Sequence, residues 1–117
     1  MDNKADERFP WRHRIVRSSD YLAIYKKGRK QDAGKFVLFG RPNELGFHRL
    51  GLTVSRKVGG AVVRNRVKRL FREIFRRSSA EIPCHLDLVV NARRECAAAQ
   101  YEALRTDFLS AARRLCR

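Results

Sequence analysis

The sequence predicts an α+β fold, an α/β sandwich in which helices pack against a small sheet. Two segments, residues 61–77 and 97–115, repeat apolar side chains at the spacing of an α-helix. Three shorter segments, 35–41, 50–54 and 86–93, are apolar runs of the length and composition of strands. Since both kinds of segment are interspersed along only 117 residues, we expect one domain that contains helix and sheet layers.

The single predicted domain covers residues 1–117 and begins with an extended basic arm at residues 1–17, where no hydrophobic period is sustained. Trp11 and Ile15 are the candidate anchors of this arm. Three arginines of the arm are candidates for phosphate contacts, although such an arm is often only solvated: Arg12, Arg14 and Arg17.

A short helix is predicted over residues 19–27. The segment Ser18-Ser19-Asp20 offers an N-cap and an acid for the first turn, and Gly28 offers a stop. Tyr21 and Tyr25 lie one turn apart on this helix and therefore share a face. Taken alone, the pair is best interpreted as a buried face whose hydroxyl groups have hydrogen-bond partners.

The strand over residues 35–41 and the strand over 50–54 are separated by a turn-rich stretch at Arg41-Pro42-Asn43-Glu44. We therefore expect these two strands to pair as a hairpin. A third strand over residues 86–93 follows the central helix, and a last helix over 97–115 presents an apolar stripe to the core.

The central helix, residues 61–77, is strongly amphipathic. At 100° per residue its large apolar side chains fall on one arc: Val63, Val67, Leu70, Phe71, Ile74 and Phe75. Polar and mainly basic side chains cluster on the opposite side: Asn65, Lys68, Arg69, Arg72 and Arg76. We expect the apolar arc to dock on the domain, which leaves the cationic face outward.

An ordinary solvated helix is the simpler interpretation of this basic face, but its charge pattern argues against that. Solubilising helices mix both signs, whereas Glu73 is the only acid between residues 61 and 77. Four cations follow at four-residue spacing, where like charges cost roughly a few tenths of a kcal/mol per pair: Arg64, Lys68, Arg72 and Arg76. An anionic partner removes that cost. With 27 basic and 12 acidic residues and a net charge of +15, the chain is expected to bind nucleic acid.

Other classes of function find little support in the sequence. No run approaches the roughly 18 apolar residues of a membrane span, and the N-terminus lacks the features of a secretory or transit peptide. We therefore expect a cytoplasmic protein without membrane insertion. The three cysteines form no C-x-x-C pair and are interpreted as reduced thiols, and no metal site is predicted.

The segment Val58–Glu73 closely resembles the signature of the bacterial ribonuclease P protein component, in which a glycine turn leads into an Arg-Asn-Arg helix. The resemblance extends from about Arg14 to Leu115. It includes the helical aromatics Tyr21 and Tyr25, the strand at residues 36–39, the Gly-x-x-Val-Ser-x-Lys segment at 51–57 and the strand at 86–93. Two departures are Tyr21, where phenylalanine is common, and Gly60, where a better capping residue is common.

For the fold, the resemblance implies an α/β sandwich around a four-stranded sheet, with a short strand near residues 31–33 as the fourth. It also implies a left-handed strand–helix–strand crossover, against a rule that about 98% of such connections are right-handed.

For the function, the resemblance implies the non-catalytic protein subunit of an endoribonuclease. Its partners are a catalytic RNA and the precursor tRNA from which that RNA removes the 5′ leader. The RNA holds most of the required Mg²⁺, the protein alone binds no cofactor, and the protein is a monomer within the ribonucleoprotein.

The site residues implied by the resemblance form two groups, and no catalytic residue is expected in the protein. The first group is predicted to bind the RNA subunit: Arg64, Asn65, Arg66, Lys68, Arg69, Arg72 and Arg76. The second is predicted to line a cleft for the leader: Tyr21, Tyr25, Phe39, Lys35, Arg56 and Lys57. For the three cations of the cleft the alternative is ordinary solvation, and Asn65 is equally suited to a bond within the helix.

Two competing functions remain open. A structural RNA-binding protein, such as a ribosomal protein, shares the size and charge, but the glycine–arginine signature and the aromatics favour the first assignment. A nuclease that acts without RNA requires a carboxylate cluster or a histidine base. The acids here are scattered, and His13, His48 and His85 lie in separate segments.

Overall fold

A computed structural model describes residues 11–117, so the first ten residues of the predicted arm lie outside the described residues. The helices and strands of the described chain follow one another in this order: α1 (Ser18–Lys27), β1 (Arg29–Asp32), β2 (Phe36–Pro42), β3 (Arg49–Thr53), α2 (Ala61–Ser78), β4 (Leu86–Ala92) and α3 (Tyr101–Leu115). Short 3-10 turns occupy Trp11–His13, Ser79–Glu81 and Arg94–Ala98. The predicted α+β class with a four-stranded sheet is confirmed.

The strands lie in the order β1-β2-β4-β3. The β1–β2 and β2–β4 pairs are antiparallel, and β3 pairs with β4 in parallel. The predicted hairpin of β2 and β3 is wrong, because β4 lies between these two strands. The chain passes from β3 through α2 into its parallel neighbour β4, which is a crossover connection, and the left hand of that crossover stays a prediction.

Strand β4 is the centre of the domain, and its residues from Leu86 to Val90 are all buried. Leu88 and Val90 belong to the large core that also includes α2 and α3. Val89, between them, belongs to a smaller cluster with Ile24 of α1. Since successive side chains of a strand point to opposite faces, α1 covers one face of the sheet and α2 and α3 cover the other.

Helix α2 matches its predicted bounds to within one residue. Val67, Phe71 and Ile74 are completely buried, and the ring of Phe71 meets that of Phe36 edge-on at 5.0 Å. Burial of a side chain of this size stabilises a fold by about 1.5–3 kcal/mol. The apolar arc therefore fixes the rotation of α2, and the side chains opposite it face outward.

The last helix was predicted to begin too early. Residues 94–98 form a 3-10 turn, and Gln100 is extended before α3 begins at Tyr101. The fourth strand, β1, ends one residue earlier than the predicted segment at residues 31–33 and begins at Arg29. In the described part of the arm, the backbone N–H of Ile15 donates to the carbonyl of Leu50 at 3.0 Å, and the Ile15 side chain is buried.

The interpretation of all three cysteines as reduced thiols is wrong for two of them. Cys84 and Cys116, 32 positions apart, form a disulfide across a Cα separation of 5.7 Å. Their distance along the sequence conceals this proximity, which arises because α3 returns to the start of β4. The third, Cys96, is a free buried thiol, and burial raises its pKa to about 11.

The C-terminal end of α3 is also secured by Arg29 of β1. Its guanidinium donates to the carbonyl oxygens of Arg114 at 3.2 Å and Arg117 at 2.6 Å. Cations near the last carbonyls of a helix also favour its dipole. Among residues 11–117, no helix has the length and apolar character required to cross a membrane.

Candidate nucleic-acid interface

The outward face of α2 carries polar side chains that form no hydrogen bond or ion pair within the described chain. Asn65 and Arg69 are exposed and Lys68 is half-buried, and none of them forms a hydrogen bond or ion pair with another described residue. A cationic side chain without an internal partner keeps its charge available for a ligand. These three, all predicted RNA contacts, are called the open face below.

Other predicted RNA contacts on α2 have partners within the protein. The Nε of Arg64 donates to the carbonyl of Gly59 at 3.2 Å, which ties the helix to its glycine turn. Arg66 donates to the carbonyls of Ala97 at 3.0 Å and Ala99 at 3.2 Å. These bonds hold the turns beside α2, and they leave Arg64 and Arg66 fewer N–H groups for RNA.

The C-terminal end of α2 is neutralised in part. Arg76 forms two hydrogen bonds with Glu73, the shorter at 2.7 Å, and Arg77 pairs with the same carboxylate. Arg76 is half-buried, and these bonds lower the pKa of Glu73, so the acid stays charged. The predicted row of repelling cations therefore ends at Arg72.

Arg72 lies where the basic helix meets α1. Together with Lys68 it borders a pocket of about 250 Å³ that is also lined by Tyr21, Gly51 and Arg14. Partial burial, followed by the charge of Arg14, lowers the pKa of Arg72. Two guanidinium groups therefore converge on this pocket, which favours an anion in it.

The hydroxyl groups of both predicted cleft tyrosines are bonded to the sheet. The backbone N–H of Leu52 donates to the Tyr21 hydroxyl at 3.2 Å, and the Tyr25 hydroxyl donates to Oδ1 of Asn91 at 2.8 Å and lies 3.0 Å from Oγ1 of Thr53. Burial, opposed by the bond from Leu52, raises the pKa of Tyr21. This agrees with the interpretation that each hydroxyl has a partner, while each ring remains partly exposed.

Gly51 allows Tyr21 to lie against β3. A Cβ atom at this position would lie 2.7 Å from the Tyr21 hydroxyl oxygen, which is closer than real Cβ contacts permit. The glycine of the Gly-x-x-Val-Ser-x-Lys segment therefore has a packing role that the sequence did not indicate.

Phe39 completes a group of three aromatic rings. Its ring meets that of Tyr25 edge-on at 4.8 Å, and the centroids of Tyr21 and Tyr25 are 6.4 Å apart. All three pack on the small core beneath α1 and are partly exposed. We call Tyr21, Tyr25 and Phe39 the aromatic cluster. The structure therefore brings together the three aromatics that the resemblance implied for the cleft.

The three cations predicted for the same cleft lie in turns. Arg56 and Lys57 are exposed before α2, and Lys35 lies between β1 and β2, where its carbonyl accepts from the N–H of Arg93 at 3.0 Å. Among the described residues, no hydrogen bond or ion pair joins these three side chains to the aromatic cluster.

The three histidines come together, which the sequence analysis missed. His13, His48 and His85 line a pocket of about 230 Å³, and the rings of His48 and His85 are 5.3 Å apart. Parallel pairing of β3 with β4 places residues 48 and 85 near each other. No local signal could have indicated this, because it depends on which strands are neighbours.

His48 has a structural role in this group. It is buried, and its Nδ1 accepts from the backbone N–H of Leu86 at 3.2 Å, so that nitrogen carries no proton. Burial, and then the neighbouring His85, lowers the pKa of His48. His48 is therefore a neutral hydrogen-bond acceptor at the start of β4.

The family model, the relatives and the solved structures to which this chain is similar all belong to one protein family. The family model for ribonuclease P matches residues 9–116. The ribonuclease P protein component of Brevibacillus brevis is 39% identical over 103 residues, which are 87% of this chain and 82% of the relative. That of Thermotoga maritima is 43% identical over 89 residues, 76% of each chain.

Solved structures of such proteins have a similar fold. The Thermotoga maritima ribonuclease P protein has a TM-score of 0.78 and 35% identity, covering 86% of this chain and 96% of its own. A Staphylococcus aureus ribonuclease P protein mutant with defective mRNA degradation activity has a TM-score of 0.77 and 32% identity, covering 86% and 85% of the two chains.

Proposed function

Because the chain belongs to the ribonuclease P protein family, we propose that it binds the catalytic RNA of ribonuclease P and the 5′ leader of precursor tRNA. As a member of this family it is a component of an endoribonuclease that processes tRNA. In the proposal, the open face of α2 contacts the RNA subunit, and the aromatic cluster contacts the single-stranded leader. The protein acts as a monomer in this complex, in the cytoplasm.

The observation that carries the proposal is the position of the open face beside the pocket at Tyr21. Lys68 belongs to both, since it is on the outward side of α2 and also lines that pocket. A structured RNA and an emerging single strand can therefore be contacted from adjoining surfaces. Cations neutralise phosphates, and aromatic rings stack on unpaired bases with little regard to sequence.

The chain's role in this proposal is binding and orientation, and we assign the hydrolysis to the RNA. Among the described residues no three His, Cys, Asp or Glu side chains are grouped to hold a metal ion. We propose that the RNA holds most of the Mg²⁺ of the complex.

Reconstitution tests the division of labour. We expect the purified protein to leave precursor tRNA uncut, and we expect addition of a ribonuclease P RNA at low magnesium concentration to give mature 5′ ends on a sequencing gel. Metal-dependent cleavage at the same bond by the protein alone would contradict the proposal.

The open face is tested by removing its charge. Lys68→Ala with Arg69→Ala should weaken binding of the RNA subunit and reduce the salt dependence of log K by about 0.7–0.9 for each lost phosphate contact. The matched control is Arg113→Ala with Arg114→Ala on α3, which removes the same charge elsewhere. An equal reduction of the slope in both variants would show that only net charge matters.

The aromatic cluster is tested at Tyr25, where two substitutions separate stacking from hydrogen bonding. Tyr25→Phe removes the bonds to Thr53 and Asn91 but keeps the ring, whereas Tyr25→Leu removes the ring and keeps apolar volume. If the ring stacks on leader bases, only the leucine variant should lose affinity for leader-bearing substrate, by about 1–3 kcal/mol per base. Mature tRNA should bind both variants equally.

A second candidate function, degradation of messenger RNA, is favoured by the activity named for the Staphylococcus aureus relative. It is tested by incubating the protein with messenger RNA in the absence of any RNA subunit. Intact messenger RNA under conditions where the reconstituted complex cleaves precursor tRNA would exclude it.

A further inference from the structure

A second groove lies at the N-terminal end of α1. It has a volume of about 560 Å³, and its lining includes Arg12, Arg17 and Phe47. Two exposed apolar side chains also belong to its lining, Val16 at 64% and Leu45 at 49% exposure. Neither the signature of α2 nor the aromatic cluster includes these residues.

This groove continues the pocket at Tyr21. Arg14 and Val16 line both of them, so the two concave surfaces share a wall. An extended chain that leaves the pocket can therefore reach the groove by passing Arg14 and Val16.

The groove combines cations with an aromatic ring. The guanidinium carbon of Arg12 lies 5.9 Å from the centre of the Phe47 ring, in cation–π geometry. Arg12 and Arg17 are exposed. The fourth arginine of the lining, Arg49, is neutralised by two hydrogen bonds to Asp87, at 2.8 and 2.7 Å, and it lies 3.7 Å from Asp20. Arg12 and Arg17 therefore supply exposed positive charge.

The loop that carries Phe47 is held in place before any ligand binds. Oδ1 of Asn43 accepts from the N–H of Leu45 at 3.0 Å, and its Nδ2 donates to the carbonyl of Phe47 at 3.2 Å and to Asp87 at 2.8 Å. A fixed ring binds a partner at lower entropic cost than a mobile one.

We propose that this groove binds the continuation of the single-stranded leader, beyond the nucleotides at the aromatic cluster. The inference rests on the proposed function, since it extends the same RNA strand. A base stacks on Phe47, and the arginines contact the phosphates on either side. An acidic protein segment shares the charge but gains less from stacking, and the shared wall with the pocket at Tyr21 favours the nucleic acid.

The test uses the complex reconstituted with a ribonuclease P RNA. Three substrates are compared: tRNA without a leader, and precursor tRNAs with leaders of about 4 and about 16 nucleotides, the limits of the range of single-strand site sizes. The unchanged protein should bind the longest leader more tightly than the short one. Stacking of one base contributes a factor of about 5 to 150 in affinity. Phe47→Ala should reduce the gain from the long leader by that factor, or abolish the gain if it is smaller. Affinity for the short leader should not change.

Two further variants keep the result interpretable. Phe47→Leu retains apolar volume against His13, whose ring is 4.8 Å away, and should lose the long-leader gain without unfolding. Arg12→Ala with Arg17→Ala should reduce the salt slope for the long leader only, by about 0.7 per phosphate contact on a single strand. The control is again Arg113→Ala with Arg114→Ala, which should leave that slope unchanged.

The outcomes separate this inference from the proposed function. Suppose that the unchanged protein binds the short leader more tightly than no leader, but binds the short and long leaders equally. The groove then does not bind the leader, and the proposed function stands. If no leader length matters, both fail. If the Phe47 and arginine variants lose binding of polyglutamate but keep the long-leader gain, the groove takes an acidic protein segment and the inference is wrong.

Discussion

Helices α2 and α3 lie on the same face of the sheet, yet their basic side chains are used differently. Each helix buries a phenylalanine completely, Phe71 in α2 and Phe108 in α3. On the outer side of α3, Arg105 and Arg113 both pair with Glu81, at 2.7 and 3.6 Å. The open face of α2 has no such acid. The number of arginines in a helix therefore does not decide how much of its charge is available to a ligand, whereas the position of the acids does.

The largest expected effect concerns a feature that both helices share, the burial of a phenylalanine ring. Phe71→Ala and Phe108→Ala should each lower the free energy of unfolding by about 3–5 kcal/mol, because both rings are fully buried and leave a cavity. Urea denaturation followed by circular dichroism measures this. A loss below 1 kcal/mol for either variant would mean that its helix is not docked as described.

The disulfide should distinguish α3 from α2. Replacing Cys84 and Cys116 by serine should lower the free energy of unfolding by about 2–4 kcal/mol, since the cross-link restricts the unfolded chain. Adding a reductant to the unchanged protein should give a similar loss, and the double variant should not respond to the reductant. A protein that is equally stable with and without reductant would show that the cross-link contributes nothing to the stability of α3.

The ion pairs of α3 should contribute little. Glu81→Gln should lower stability by no more than about 1 kcal/mol, because partly exposed pairs are screened by water. Affinity for the RNA subunit should stay the same or increase slightly, since one negative charge is lost. A large loss of RNA affinity would contradict the distinction between the two helices.

The smallest effect is confined to acid pH and concerns the hydrogen bond between His48, just before β3, and Leu86 of β4. The pKa of His48 is lowered in the folded protein by burial, so the folded state binds a proton less readily than the unfolded state. The contribution of neutral His48 is complete above the unfolded pKa of about 6.5 and declines as the pH falls below it. His48→Gln should flatten the decline measured by thermal unfolding. An unchanged pH profile would assign it to other groups.

Much of α2 could be predicted from the sequence. Its bounds, its buried side chains from Val67 to Phe75 and its outward basic face all follow from one periodicity. A helix brings together side chains three and four positions apart, so the pattern contains the geometry. Sequence reasoning did not identify the bonds of Arg66 to the turn before α3, because they join residues about 30 positions apart.

The strand order, in contrast to α2, could not be predicted from the sequence. The composition of residues 50–54 predicted the strand β3, but it could not indicate whether β2 or β4 lies beside it. A hydrophobic pattern selects the buried face of a strand and is indifferent to the neighbour that supplies the hydrogen bonds. The error at the hairpin and the missed histidine group arise from this uncertainty, whereas the unexpected disulfide depends on where the end of α3 packs.

The sequence by itself determined the helix that presents the open face, the family signature around it and the excess of positive charge. These properties depend on neighbouring residues or on simple counts. Only the tertiary structure decided which arginines keep their charge available, how Tyr21 is seated over Gly51 and that the groove at Phe47 adjoins the pocket beside α2. Those properties depend on contacts between segments far apart in the chain, whose pairing is set by the packing of the whole domain.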